Sequence, residues 1–432
     1  MKVLLLPSPC SENSNPLFPL GLVYIASKIK GHEVYLFDPN CAGNPQEEAM
    51  RMVRKTVPDV IGISLRNVDI FYTDSKRKFS GIKSAIPGLI DFVREAKRAS
   101  PTPKIVIGGA GFTIFARKLM SLVKEIDVGI HGEGEISFPE YMNNIKNPGK
   151  VRGLYLRREG KVVYTGNPGT VDMDSLEFPK DLGFLDVRKY KNTHIGVQTK
   201  RGCRFRCAYC TYPFIEGNCI RMRSPRKVVD EIERVHDVFG VKDLFFTDSV
   251  FNVPKEHASR ICNEIVNRKL EIGFNAFLRP DYIDSDFMKG MIESGFNSLS
   301  YSFDALSQKT LDKLNKELNI RTIMDSCRLA KKFDMGVEAF IFSDISFETP
   351  LTAIETLKNI LKIGAIMRNP RKLYFRFSGI RIYPQTLMHL EGVKEGNIKG
   401  GENLLRPLFY KTSLYGRSAS KLTMFYERLY QH

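Results

Sequence analysis

Short apolar runs alternate with segments of helical period along most of the chain. Lys2–Leu6 is apolar and stops at Pro7, and Pro19–Lys30 repeats its apolar residues at helical spacing before Gly31. The pattern continues with strands expected at His32–Asp38, Asp59–Leu65, Lys104–Gly109 and Asp127–His131. Helices are expected at Gln46–Thr56, Pro87–Ala99 and Ile114–Val123. Strand and helix alternating at this length predict a doubly wound, Rossmann-like α/β domain over residues 1–145. Val151–Tyr164 alternates Leu, Tyr and Val and turns at Glu159-Gly160, a hairpin within a polar linker at 146–193. Alternation resumes over 194–390. Strands are expected at His194–Thr199, Asp243–Thr247, Gly273–Leu278, Ser298–Phe303, Val337–Phe342 and Leu373–Ile382. Between them fall helices at Val228–Phe239, Lys255–Arg268, Ser285–Gly295, Arg321–Phe333 and Leu351–Ile363. Six such repeats are too few for a closed eight-stranded barrel.

Composition narrows the class. Apolar residues at 43% and charged residues at 26% are those of a globular protein, and 432 residues suit two domains. A net charge of +17 suits an anionic partner: a nucleotide-like cofactor, RNA or an acidic protein surface. The basic residues are spread rather than blocked, so a plain solvated surface fits equally. The tail at 391–432 is basic and aromatic (Tyr410, Lys411, Tyr415, Arg417, Lys421, Phe425, Tyr426, Tyr430) and is expected to cap the second domain as helices. No run reaches the length of a membrane span, and the apolar start is too short for a signal peptide. A reducing, cytoplasmic setting is the expectation.

The candidate chemistry lies in Arg201-Gly-Cys-Arg-Phe-Arg-Cys-Ala-Tyr-Cys210, just after the first strand of the second set. Cys203, Cys207 and Cys210 are close enough to serve one metal centre, and thiolates suit iron–sulfur clusters or zinc. A closed zinc site takes four ligands, whereas three leave one iron of a 4Fe–4S cluster open. A zinc site with a distant fourth ligand and inert buried thiols are the alternatives. Cys10, Cys41, Cys219, Cys262 and Cys327 are scattered singly and read as ordinary thiols.

The C-x3-C-x2-C spacing, with Tyr209 before the last cysteine, resembles the signature of radical S-adenosylmethionine (SAM) enzymes. The resemblance implies a 4Fe–4S cluster on Cys203, Cys207 and Cys210, and SAM chelated at the open iron. It implies an electron donor of ferredoxin or flavodoxin type and cleavage of SAM to a 5′-deoxyadenosyl radical. It also implies a (βα)6 partial TIM barrel with the cysteine loop at the strands' carboxyl ends. SAM contacts are then expected from Tyr209, from Asp248 (amino nitrogen), and from Arg279, Ser302 and Asp304 (carboxylate and ribose). Glu338 and Glu348-Thr349 flank the fifth strand, the latter resembling the family's Gly-Glu-Thr turn with Phe347 in place of Gly.

Ligands of doubly wound sheets lie beyond the strands' carboxyl ends. There the first domain places Pro7–Pro19, Ser64-Leu-Arg-Asn67, Gly108-Gly-Ala-Gly-Phe-Thr113 and Gly132-Glu-Gly-Glu135. Glycines at such ends let a flat or phosphate-bearing ligand approach the backbone. The Gly108 run departs from the dinucleotide fingerprint and follows the fourth strand, which disfavours a dinucleotide. Pro19-Leu20-Gly21, Ser64, Gly108-Gly109 and His131–Glu135 together resemble the cobalamin-binding domain that precedes the radical SAM domain in one large subfamily.

That resemblance implies cobalamin, carried as methylcobalamin, against Ser64, Arg66, Asn67, Gly108, Gly109, Gly132 and Glu133. The Asp-x-His-x-x-Gly motif is missing and Pro7–Phe18 holds no His, so a base-off corrin with no His lower ligand is expected above Arg66 and Asn67. Arg381-Ile-Tyr-Pro-Gln-Thr386 resembles a further stretch of the subfamily, with Gln385 where Gly is usual. Arg381 and Tyr383 are the expected catalytic residues, facing a cavity between the domains. The implied activity is methyl transfer to an unactivated sp3 carbon, which has neither the acidic proton nor the lone pair that polar chemistry needs. The acceptor is expected to be a small molecule or a protein or peptide side chain, such as the glutamine of methyl-coenzyme M reductase. Ring contraction, cyclisation or polar methyl transfer are rival outcomes. An RNA-modifying methylthiotransferase is disfavoured, because that family carries three further N-terminal cysteines and only Cys10 and Cys41 precede residue 203 here. Binding of nucleic acid would rest on charge alone.

Overall fold

A computed structural model describes residues 1–9, 16–73, 79–100, 102–179, 181–190, 195–343, 345 and 347–409. Cys10, part of the loop after the first strand and the tail from Tyr410 on lie outside these residues. The described residues divide into two compact units, Met1–Ile195 with Leu405–Pro407, and Gly196–Leu404 with Leu408 and Phe409.

The first unit runs β1 (Lys2–Pro7), α1 (Leu20–Lys28), β2 (Glu33–Leu36), α2 (Pro45–Thr56), β3 (Val60–Ser64), β4 (Asp69–Thr73) and β5 (Phe79–Ser84). It continues with α3 (Ile86–Ala99), β6 (Lys104–Gly108), α4 (Ala110–Leu122), β7 (Val128–Ile130), α5 (Gly134–Asn143), β8 (Leu154–Arg158) and β9 (Lys161–Tyr164). The sheet order is β2-β1-β3-β6-β7-β8-β9. The first five strands are parallel, and the β8–β9 hairpin adds antiparallel strands at the edge. Strand order reverses at β1 and β3, the place where doubly wound sheets open a crevice. Pro7 pairs with Ser64 and Ser64 with Gly108, so three strand ends reach the same edge in register. Val3–Leu6, Val60, Ile61 and Ile105–Ile107 are buried between the helix layers, as near-continuous apolar strands of a parallel sheet require.

Two features of this unit depart from the sequence expectation. The β4–β5 hairpin follows β3, where the apolar run Ile70–Tyr72 is too short to read as a strand. Helix α5 contains Pro139, which argues against a helix in sequence alone. The hairpin at 151–164 forms as expected, with Glu159 (φ 49°) and Gly160 (φ 76°) both left-handed, as a two-residue type I′ turn demands.

The second unit runs β10 (Ile195–Val197), β11 (Lys200–Arg201), α6 (Tyr212–Ile215), β12 (Arg221–Met222), α7 (Pro225–Phe239), β13 (Asp243–Phe246), α8 (Lys255–Asn267) and β14 (Gly273–Leu278). It continues with α9 (Ser285–Glu293), β15 (Ser298–Asp304), α10 (Gln308–Lys313), α11 (Ile320–Lys332), β16 (Gly336–Ser343), α12 (Pro350–Met367), β17 (Leu373–Gly379) and α13 (Leu387–Lys394). Its sheet follows chain order, β10-β13-β14-β15-β16-β17, the open partial barrel expected. One face is apolar and buried (Leu244, Phe274, Leu299, Val337, Phe375). The other carries Asn275, Phe277, Ser302, Phe340 and Arg376, half-buried or exposed. The last strand stops at Gly379 rather than Ile382, and Arg381 instead makes an isolated bridge with Phe409. Among the described residues no helix is long and apolar enough to cross a membrane.

Candidate functional site

The cysteine loop leaves β10 through a short antiparallel clip. Lys200 pairs with Met222 and Arg201 with Arg221, so β11 and β12 close the loop at its base. Gly202 opens it at φ +94°, and a Cβ there would lie 2.1 Å from the Cys219 carbonyl oxygen, so only glycine fits. The Gly202 amide donates to Glu216 Oε2 (3.0 Å) and the Cys203 amide to the Gly217 carbonyl (3.1 Å). A turn brings the Cys210 amide to the Cys207 carbonyl (3.0 Å), and the Ala208 amide reaches the Leu314 carbonyl (2.9 Å). Cys203, Cys207 and Cys210 are half-buried free thiols.

Burial raises the Cys207 thiol, an effect that Lys316 and Arg279 oppose, and it pushes Cys210 up to about 12. Among the described residues no three His, Cys, Asp or Glu side chains stand together as ligands of one ion. A 4Fe–4S cluster puts its thiolates on three different irons. Three thiols on a single pinned loop, with cationic side chains beside it, fit that donor set.

The polar residues expected to touch SAM lie at the strand ends, but several are engaged within the protein. Asp248 is buried, and its carboxylate accepts from the Thr199 amide (2.8 Å), Thr199 Oγ1 (2.5 Å), the Lys200 amide (3.2 Å) and Lys200 Nζ (3.1 Å). It therefore fastens the approach to the cysteine loop. Arg279, 1% exposed, forks onto Asp281 (2.8 and 2.9 Å), donates to the Lys316 and Glu317 carbonyls (2.9 and 2.8 Å), and stacks 3.9 Å over Phe205 of the loop. The Tyr209 phenol donates to Asp304, which also pairs with Lys316 at 2.5 Å. Ser302 stays on the open sheet face beside Phe340.

Thr349 caps α12 in a reciprocal box with Thr352, a structural role for the turn resembling Gly-Glu-Thr. Arg381 donates to the Leu404 carbonyl (2.6 Å) and lies 4.9 Å over the Tyr383 ring. Sequence reasoning missed Lys200 and Lys316, which read as two more surface cations in a basic chain. It also missed the buried Arg223–Glu231 pair (2.9 Å) beneath β12.

At the carboxyl edge of the first unit the loops bind one another. The Ser8 amide donates to the Ser64 carbonyl (2.9 Å), Leu65 to Gly108 (2.8 Å), and Gly111 to both Leu65 and Arg66 (2.9 Å each). Gly109 has φ +96°, and a Cβ on it would lie 2.7 Å from the Leu65 carbonyl oxygen; one on Gly111 would lie 3.0 Å from the same atom. These two glycines are thus required by loop-to-loop contact rather than by ligand approach. Gly108 and Gly132 are more open, with nearest neighbours to an added Cβ at 3.5 and 3.4 Å. The Gly132 amide donates to Thr113 Oγ1 (3.1 Å), and the Glu133 carboxylate accepts from the Val171 amide (2.7 Å). Arg66 and Asn67 are exposed at the point where strand order reverses. Exposed polar side chains and open glycine backbone at the same sheet edge suit the underside of a flat macrocycle.

Residues 12–142 match the B12-binding domain family and residues 197–362 the radical SAM superfamily. An uncharacterised methyltransferase of Pyrococcus horikoshii is 26% identical over 347 residues, covering 78% of this chain and 72% of the relative. The anaerobic magnesium-protoporphyrin IX monomethyl ester cyclase of Cereibacter sphaeroides is 25% identical over 79% of this chain and 56% of its own length. The radical SAM methyltransferase TsrM of Kitasatospora setae, solved with tryptophan and a SAM analogue, shares the fold. Its TM-score is 0.78 at 20% identity, over 91% of this chain and 76% of its own. TsrM has also been solved with cobalamin and a 4Fe–4S cluster. With both domain families matched in this order on one polypeptide, the chain belongs to the cobalamin-dependent radical SAM enzymes, whose cofactors are a 4Fe–4S cluster, SAM and cobalamin.

Proposed function

We propose that this protein is a C-methyltransferase acting on an unactivated sp3 carbon of a small molecule or a peptide side chain. The observation that carries the reading is the union of the two cofactor domains on one chain, in a chain whose relatives include a methyltransferase. When bound, cluster and SAM supply hydrogen abstraction and cobalamin supplies the methyl group.

The chain's own residues hold and orient. Cys203, Cys207 and Cys210 ligate the cluster, on a loop whose path is fixed by Gly202 and the Lys200–Met222 clip. Arg279 and Lys316 place positive charge beside those thiolates. Tyr209, Asp248 and Asp304 would act on the cofactor by holding the loops around it, and Ser302, on the open sheet face, would contact it directly. Arg66 and Asn67, exposed where strand order reverses, would hold the corrin, and the open backbone of Gly108 and Gly132 would admit it at the same sheet edge. Arg381 braces the Tyr383 ring, which would meet the acceptor.

The test is reaction of the anaerobically reconstituted protein with candidate acceptors and SAM bearing a deuterated methyl group, followed by mass spectrometry. A deuterated methyl on an acceptor carbon is the expected result. Failure to retain added hydroxocobalamin through gel filtration would refute methyl transfer while leaving SAM cleavage standing. The cyclase relative favours ring closure as a second reading. Its mark is acceptor-dependent SAM cleavage with loss of acceptor hydrogen and no methyl gain.

A further inference from the structure

The open face of the second unit's sheet carries an arginine with more hydrogen-bonding capacity than its surroundings use. In the β16–β17 register, Glu338 lies beside Tyr374 and Phe340 beside Arg376; across β15, Ser300 lies beside Glu338. Arg376 Nε donates to Glu338 Oε1 at 2.7 Å, and Ser300 Oγ donates to Glu338 Oε2 at 3.2 Å. The carboxylate is thus held from both sides, and it fixes the guanidinium through Nε alone. Among the described residues Nη1 and Nη2 of Arg376 have no partner. The arginine side chain is 52% exposed and the glutamate 28%. Beside them runs an aromatic row in which Phe340 meets Phe277 (5.2 Å between centroids) and Phe277 meets Phe245 (5.5 Å).

A solvated ion pair of this kind adds little to stability. A guanidinium tethered by Nε, however, presents its remaining planar edge in a fixed direction, and that edge matches a carboxylate or phosphate with two parallel hydrogen bonds. The neighbouring rings offer an apolar wall to whatever carries the anion. Glu338 neutralises the arginine when the site is empty and competes with an entering anion, which sets a modest affinity.

We propose that Arg376, tethered by Glu338, anchors a carboxylate or phosphate group of the acceptor, which lies against the Phe277–Phe340 row. This rests on the reading of the protein as an acceptor-modifying enzyme and narrows the acceptor to an anion-bearing compound. The experiment uses the full-length, reconstituted protein with saturating SAM, so that the site for SAM's own carboxylate is filled. Hydrogen exchange of peptides covering β16 and β17 is measured against inorganic phosphate, succinate and, at matched ionic strength, chloride. Phosphate or succinate should slow exchange in the wild type and chloride should not. A response to phosphate alone identifies a phosphorylated acceptor, and a response to succinate alone a carboxylate one. Arg376→Gln should lose the response while keeping its iron. Glu338→Gln should bind the probe about fivefold more tightly, the size of a ~1 kcal/mol repulsion between like charges ~4 Å apart in high dielectric. Equal responses in wild type and Arg376→Gln, weaker binding in Glu338→Gln, or no response to either anion would overturn the proposal. SAM cleavage by the wild type is scored separately, so loss of the functional reading shows in that assay and loss of the anion site in the exchange data.

Discussion

Replacing Asp248 by Ala should loosen the base of the cysteine loop by a measurable and large amount. Asp248 and Lys200 are 0% and 1% exposed at the side chain, and burial pushes the Lys200 ammonium down while Asp248 holds it up. In Asp248→Ala the ammonium keeps the Phe251 carbonyl (2.7 Å) and a long contact to Thr199 Oγ1 (3.4 Å), while two backbone amides lose their acceptor. Breaking one partner of a buried pair costs about 3–5 kcal/mol. At ~1.4 kcal/mol per factor of ten, amides near the pair should exchange roughly two to three and a half orders of magnitude faster. Hydrogen exchange on a peptide spanning residues 195–201 reads this locally, without assuming that the two units unfold together. The double variant Lys200→Met with Asp248→Leu should regain most of the protection, because replacing a buried pair with apolar groups of similar volume is often neutral. Less than tenfold acceleration in Asp248→Ala, or a double variant no better than the single, would refute the claim that this pair holds the loop.

Gly202→Ala should cost most of the iron retained after reconstitution, since its Cβ would sit 2.1 Å from the Cys219 carbonyl oxygen. Gly217→Ala is the control: φ is also positive at +88° but nothing lies within 4 Å, so about 1–2 kcal/mol of backbone strain with iron retained is expected. Arg279→Lys keeps the charge but loses the fork onto Asp281 and a carbonyl contact, so urea unfolding should show a loss of about 2–3 kcal/mol. Asp284, which caps α9 through the Phe287 amide, is held below the usual carboxylate range by Lys255 at 2.5 Å and by that amide. Its contribution is present above the ordinary carboxylate value and is lost as pH falls through its lowered one. Wild type should exceed Asp284→Asn, which keeps the cap, by roughly 0.2–1 kcal/mol near neutrality, because the pair is exposed and screened. Urea midpoints measured at successively lower pH should show that gap closing; a constant gap would refute the pairing.

Most strands were readable because burial on both faces leaves continuous apolar runs such as Val3–Leu6 and Ile105–Ile107. The cysteine loop was readable from spacing alone. The polar residues singled out in the sequence do lie at strand ends, but their partners could not be read there. Asp248 meets Lys200 across 48 residues, Arg279 meets Lys316 across 37, and Tyr209 meets Asp304 across 95. No periodicity links positions that far apart, and a basic chain hides a buried lysine among many solvated ones. Arg376 was passed over for the same reason, although the alternation Leu373, Phe375 against Tyr374, Arg376 already separates the two faces of β17. The need for Gly109 was visible in sequence, yet its cause was not, because the Leu65 carbonyl that crowds it belongs to a different loop.

The internal engagement of those strand-end charges follows from what the cysteine loop must tolerate. Burial raises the thiols of Cys207 and Cys210, so thiolates there need fixed positive charge nearby. Lys316 and Arg279 supply it at Cys207, but an unpaired buried cation would itself be costly. Each is therefore matched, Lys316 by Asp304 and Arg279 by Asp281, and Arg279 is further fixed by two carbonyls and the Phe205 ring. A cation held this way cannot swing out to solvent, so its field at the sulfurs stays constant. Because the pairs tie the ends of β14 and β15 to the 314–318 segment, which also accepts the Ala208 amide, the same contacts set where the loop lies and what charge it sees. Position and electrostatics at the three cysteines are therefore not separable, and a substitution in any one pair should disturb both.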